Sequence, residues 1–159
     1  MEQTDFVHHY FSPIVGSLEL RVSDRGVRSI SFIPRPTTPV TSVRNDVLEQ
    51  LVHELDLYFF KKLRLFSVPP DPASGSAFQR RVWHELSRIP YGRTRSYAEV
   101  AEAVGNPLAA RAVGSANRSN AIPIVIPCHR VIRSDGGLGG YGSGIRIKRK
   151  LLELEGVIV

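Results

Sequence analysis

The only cysteine in this 159-residue chain, Cys128, stands in Pro127-Cys128-His129-Arg130, after the apolar run Ile122-Pro123-Ile124-Val125-Ile126. A lone thiol cannot close an internal disulfide, and it cannot build a metal cage alone. The chemistry left to it is nucleophilic, and an adjacent histidine and cation are what turn a thiol into a thiolate. The alternative is a small buried hydrophobe. In a flat strand Cys128 and His129 would face opposite sides, so coupling them requires a turn or a bridging water. Glu155 is the candidate third member. It follows Leu151 and Leu152 on the inward face of a helix expected over 145–154. A carboxylate there needs a partner. His129 would gain a fixed tautomer and basicity from it. A frayed, exposed helix end before Gly156 is the competing reading.

Two polar residues near this group read less sharply. Tyr97 aligns with Val100, Ala101 and Val104 and reads as core by pattern. Asn120, in Ser119-Asn120-Ala121-Ile122-Pro123, reads as a turn former. Gly137-Leu138-Gly139-Gly140-Tyr141-Gly142 fits a dinucleotide-binding pattern. No second strand and ribose-binding acid can follow it before Val159, so that reading fails. A glycine-rich loop lining or closing a pocket beside Cys128 fits better.

The elements that must position these residues fall in two parts. Residues 67–75, with three prolines and a glycine, read as a linker. It divides the chain into 1–75, a small sheet-plus-helix domain, and 76–159, a mostly helical domain. In the first part, 18–22 and 27–33 read as a hairpin, 43–62 as a helix with Val47, Leu51, Leu55 and Tyr58 in one stripe, and 65–68 as a returning strand. His8 and His9 read as surface residues. In the second, Ser76 caps a helix carrying Phe78, Val82, Trp83, Leu86 and Ile89 on one side. A helix over 97–104 stops at Gly105. Asn106 and Pro107 then read as cap and first residue of a third helix. The pair has helix-turn-helix proportions. At 100° per residue, Leu108, Ala109, Ala112, Val113 and Ala116 share one side of the third helix; Ala110, Arg111, Gly114, Ser115 and Arg118 share the other. Small residues let that outer face approach a surface, and its arginines reach phosphates; an ordinary exposed face is the alternative.

Charge favours the first of these. Residues 1–75 carry 8 Lys/Arg and 9 Asp/Glu, while 76–159 carry 13 and 6, for a net charge of +6. The positive excess lies wholly in the half that holds Cys128, which points to a polyanion, nucleic acid first. The polar N-terminus and the lack of an 18-residue apolar run argue against a secretion signal and a membrane span. One cysteine suits a reducing cytoplasm or nucleoid.

Ile126 to Val131 resembles the active-site signature of the O6-alkylguanine-DNA alkyltransferases, the methylated-DNA–protein-cysteine methyltransferases. The resemblance extends in order over 78–83, 89–97, 105–114, 140–142 and 151–155, and Ser12 to Leu18 resembles the start of the family's smaller N-terminal domain. It implies an α+β fold with a winged-helix-like DNA-binding part. It also implies repair of O6-alkylguanine, and less well of O4-alkylthymine, in duplex DNA by one irreversible transfer to Cys128. Cys128, His129 and Glu155 match the family's hydrogen-bonded series, with a water between histidine and cysteine. Asn120 matches the asparagine that orders the cysteine's turn. Tyr97 matches the tyrosine that crowds the 3′ phosphate and protonates the leaving guanine at N3. Arg111 matches the arginine that replaces the flipped base. Ala110, Gly114, Ser115 and Arg118 join it as DNA contacts in the minor groove. Tyr141, Gly142, Ser143 and Val131 line the expected pocket. No cofactor is implied, and with no N-terminal cysteines no zinc. A monomer is expected, with clustering along DNA left open. Gly142 stands where some members place a serine that bonds the guanine oxygen. That leaves a backbone amide for the task and puts the tolerance of bulkier alkyl groups in question. A non-catalytic lesion binder, in which the cysteine is replaced, and a helix-turn-helix regulator with a structural cysteine are the competing functions.

Overall fold

The computed structural model describes residues 5–36 and 44–159. It divides into two units, Met1–Ala73 and Ser74–Val159.

The first unit is a three-stranded antiparallel sheet, β1 (Phe6–Ser12), β2 (Gly16–Val22) and β3 (Val27–Ile33), in that order, and one helix, α1 (Asp46–Phe59). Alternation on β2 sends Leu18, Leu20 and Val22 inward. On β3 the register slips between the Arg21↔Ser29 and Val22↔Val27 pairs. This bulge brings Val27 to the same buried side as Ile30, which strict alternation forbids. Leu48, Leu51, Leu55 and Tyr58 of α1 complete the core.

Several expectations for this unit change. β1 was not legible, and it places His8 and His9 in the sheet. The helix starts after Asn45, whose side chain accepts from the Leu48 amide; Val43 lies outside the described residues. Residues 65–68 are not a strand. Their backbone donors go to a buried carboxylate instead: the Ser67 and Val68 amides both donate to Glu54, at 2.5 and 3.1 Å. The proline-rich stretch is held as well. Val27 N–H donates to the Pro69 carbonyl, and Asp71 N–H donates to the Val27 carbonyl.

The second unit carries α2 (Ala77–Ser87), β4 (Arg95–Ser96), α3 (Tyr97–Ala103), α4 (Ala110–Arg118), β5 (Val131–Ile132) and α5 (Ile145–Leu154). Ser76 and Ser96 open α2 and α3 with complete capping boxes, closed by Gln79 and Glu99. Trp83 of α2 donates its indole N–H to the Ala116 carbonyl of α4 at 2.8 Å. β4 and β5 pair in parallel, Arg95↔Val131 and Ser96↔Ile132, which sets the start of α3 beside the segment that follows Cys128.

The third helix of this unit starts later than its cap signal suggests. Asn106 accepts the Ala109 N–H through its backbone carbonyl, closing a turn over Pro107 and Leu108, and α4 begins at Ala110 with no side-chain cap. Leu108 is therefore outside the helix and 97% exposed. Ala112 is exposed too, and the buried side is Val113, Ala116 and Asn117.

Candidate active site

Cys128 opens a single 3-10 turn, Cys128–Arg130. The approach to it is strained. Buried Ile124 has φ of +73°, which costs a β-branched residue about 1–3 kcal/mol. Asn120 braces this loop from both ends. Its Nδ2 donates to the Ile126 carbonyl at 2.9 Å, and its Oδ1 accepts from the Ile122 amide at 3.0 Å. Asn117, on the inner side of α4, donates to the Cys128 carbonyl at 3.2 Å.

Behind the turn lies a buried ionic group. His129 Nε2 is 2.5 Å from Glu155 Oε2. Arg130 Nε donates to Glu155 Oε1 at 2.8 Å, and Arg130 Nη1 donates to the Ile89 carbonyl at 2.7 Å. The Gly92 amide adds a bond to Glu155 Oε1 at 3.0 Å. Glu155 sits at the end of α5, buried rather than frayed. Burial alone would raise its pKa. The hydrogen bonds from His129 and Arg130 and the charge of Arg130 outweigh that and hold it well below the usual carboxylate range. Burial lowers the pKa of His129, against the pull of Glu155, so the imidazole is neutral near pH 7. With Nε2–H donated to an ionised Glu155, Nδ1 is the acceptor nitrogen. It is buried with no partner among the described residues. The pair can accept a proton at Nδ1 and stabilise the resulting cation.

Cys128 is 3% exposed, and burial pushes its thiol pKa up. Hydrogen bonds from Asn120 and Tyr141 and the charge of Lys148 pull it back without overcoming burial. At rest the group is a thiol, and its activation needs a base. Lys148 is fully buried. Its Nζ donates to the Val131 carbonyl at 2.6 Å and the Gly140 carbonyl at 3.2 Å. Burial brings its pKa down to about 8. Lys148 and Asn117 were missed from sequence, and Arg130, read as the cation beside the thiol, is bonded to Glu155 and the Ile89 carbonyl instead. Lys148 was discoverable, because it lies three and four residues before Leu151 and Leu152 on the inward side of α5.

A second group of expected residues meets at a cleft of about 490 Å³ lined by Tyr97, Ala110, Arg111, Gly114, Arg118, Arg133, Gly139 and Gly140. Tyr97 is enclosed by glycines. A Cβ at Gly114 would lie 3.8 Å from its ring, and a Cβ at Gly139, which has φ of +71°, would come within 2.7 Å of its hydroxyl. Arg111, Ser115 and Arg118 are exposed; Ser115 lies outside the cleft lining. Val131 is buried under Lys148, Gly142 is exposed and Ser143 is half-buried.

Comparison with known proteins gives this geometry a family. Residues 77–157 match the model of the 6-O-methylguanine DNA methyltransferase DNA-binding domain, and 6–72 match the ribonuclease-like domain of the same family. The chain belongs to the 6-O-methylguanine DNA methyltransferase family. It is 41% identical over 150 residues to the methylated-DNA–protein-cysteine methyltransferase of Methanosarcina acetivorans, covering 92% of this chain and 96% of that one. The crystal structure of the Mycobacterium tuberculosis O6-methylguanine methyltransferase superposes with a TM-score of 0.83 at 42% identity, covering 96% of this chain and 93% of that one. The same mycobacterial protein has been solved in complex with DNA. Every residue of the Cys128 group falls inside the stretch matched to the methyltransferase DNA-binding domain.

Proposed function

We propose that this protein repairs duplex DNA by moving the alkyl group of O6-alkylguanine, and less readily of O4-alkylthymine, onto Cys128 in one irreversible step. The observation that carries this is a buried thiol backed by a neutral histidine whose free nitrogen has a carboxylate behind it, beside an arginine-lined cleft. DNA approaches in the minor groove along the outer side of α4, the second helix of a helix-turn-helix. Arg111 fills the space of a base rotated out of the stack, which costs a few kcal/mol. His129 Nδ1 takes the thiol proton through a bridging water, and Glu155 stabilises the imidazolium. Sulfur attacks the alkyl carbon in line, the C–O6 bond breaks, and its electron pair leaves with guanine. Tyr97 delivers a proton to N3. The product is a thioether with no second thiol to resolve it, so each molecule acts once. The protein works as a monomer wherever the cell keeps its DNA, the cytoplasm included. Among the described residues no helix is long and apolar enough to cross a membrane.

Incubation with duplex O6-methylguanine should add one methyl mass to the Cys128 peptide, at one equivalent, by intact-mass spectrometry. Repeated turnover, or an unmodified sulfur, would overturn the reading. Gly139→Ala should drive its new methyl into Tyr97 and slow transfer from duplex roughly tenfold or more. Single-turnover rates would show this; an unchanged rate would mean that Tyr97 need not hold its place.

A further inference from the structure

The cleft has two walls, and only one of them has been given a role. Tyr97, Ala110, Arg111, Gly114 and Arg118 come from α3 and α4, while Arg133, Gly139 and Gly140 come from the chain that follows β5. Arg133 is the first residue after β5. The β4–β5 pairing ends at Ser96↔Ile132, and the residues that follow on each side, Tyr97 and Arg133, line the same cleft. Three arginines therefore line one cleft, two from the helix and one from the chain after β5.

Arg133 stands on a built turn. Its N–H donates to the Gly137 carbonyl at 2.8 Å, and its carbonyl accepts from Gly136 at 3.0 Å. Asp135 does two jobs there. Oδ1 accepts the Gly137 amide at 2.9 Å, and Oδ2 pairs with Arg133 Nη2 at 2.8 Å. The arginine stem lies over Gly137, where an added Cβ would sit 3.0 Å from Asp135 Oδ1 and 3.6 Å from Arg133 Cδ. The side chains of Arg133 and Asp135 are 63% and 60% exposed. An ion pair that open to water is weak, whereas a guanidinium on a phosphate can make two charge-assisted bonds.

We propose that Arg133 binds a backbone phosphate of the duplex from the wall opposite α4, and that Asp135 holds its guanidinium aimed at the cleft until DNA replaces it. This rests on the alkyl-transfer reading for its ligand. A strand lying across the opening is then gripped from both sides of the rotated nucleotide, with Arg111 and Arg118 on one side and Arg133 on the other. Asp135 sets a limit on affinity, because its carboxylate lies within 3 Å of the group the phosphate must reach and repels the phosphate.

The test measures binding to an unmodified duplex over a range of salt concentrations, so that no alkyl chemistry enters. Arg133→Ala should weaken binding about fivefold and reduce the slope of log K against log salt by about 0.9, the loss of one phosphate contact. Arg133→Lys should keep the wild-type slope, which a purely structural role would not preserve. Asp135→Asn should bind more tightly than wild type. An Arg133→Ala slope equal to wild type, or an Arg133→Lys loss as large as that of alanine, overturns the proposal. Failure of the wild-type protein to take the methyl group from duplex O6-methylguanine would instead sink the alkyl-transfer reading, and the slopes would still decide the role of Arg133.

Discussion

Replacing Cys128 with alanine is expected to abolish alkyl uptake from O6-methylguanine duplex while leaving the DNA bound. The sulfur is the only thiol in the chain, and displacement at saturated carbon needs a soft nucleophile. No neighbour can substitute: His129 is a buried ring held by Glu155, and Lys148 Nζ is tied to two carbonyls. The fold should tolerate the change. Cys128 makes few polar bonds through its side chain, and a small-volume deletion costs about 1–2 kcal/mol at such a site. Mass spectrometry of the protein and a gel-shift on the same lesion duplex would read both halves of the expectation. Residual methyl transfer in the variant would displace Cys128 from the centre of the mechanism. Loss of DNA binding would show that the thiol's role was to hold the fold.

Glu155→Gln carries the second large effect, on stability and on rate together. The carboxylate and the His129 ring are fully buried and the Arg130 side chain is 7% exposed. Removing one charge leaves Arg130 buried without a counter-charge, a change that costs about 3–5 kcal/mol. Chemical denaturation at pH 7 would measure it. The pH dependence has a defined sign. A carboxyl held below its unfolded pKa of about 4.3 contributes stability that is full above that pH and is lost as pH falls through the folded value. His129, also held below its unfolded value, acts in the same direction from about pH 6.5 downward. Wild-type stability should fall through the acid range, and the variant should lose the Glu155 part of that fall. The rate of reaction with free O6-benzylguanine should drop about a hundredfold, since the imidazolium formed when His129 takes the thiol proton in the proposed mechanism loses its counter-charge. An unaltered rate with reduced stability would confine Glu155 to a structural role.

How much of this was legible depended on whether local rules governed the residue. Ser76 forms its expected cap because a hydroxyl three residues before Gln satisfies open amides whatever the surroundings, and the same rule gives Ser96, not named from sequence, its cap before Glu99. Cys128 and His129 were read as a pair because the single cysteine stands beside a histidine, and Glu155 because it falls on the inward face of Leu151 and Leu152. Asn106-Pro107 misled, because a turn closed by the Ala109 amide took the place of a cap, and Leu108 moved into solvent. β1 was missed because its residues are half-buried and carry two histidines, so its alternation is weak; only pairing with β2 makes it a strand. Lys148 and the true partners of Arg130 were missed for a physical reason as well. A buried cation is stable only where carbonyls or a carboxylate meet it, and those come from residues 8 to 41 positions away. The resting protonation of Cys128 likewise depends on burial, which its neighbours in sequence do not reveal.

The bond from Trp83 to the Ala116 carbonyl gives the molecule a built-in optical reporter. It is the only tryptophan in the chain, and its indole is fixed to the inner edge of α4 at 2.8 Å. Any shift of that helix stretches the bond and changes the polarity around the ring. Emission wavelength should therefore follow docking of nucleic acid in real time, without a dye. Arrival on the duplex and chemistry at sulfur could then be timed separately in one stopped-flow trace.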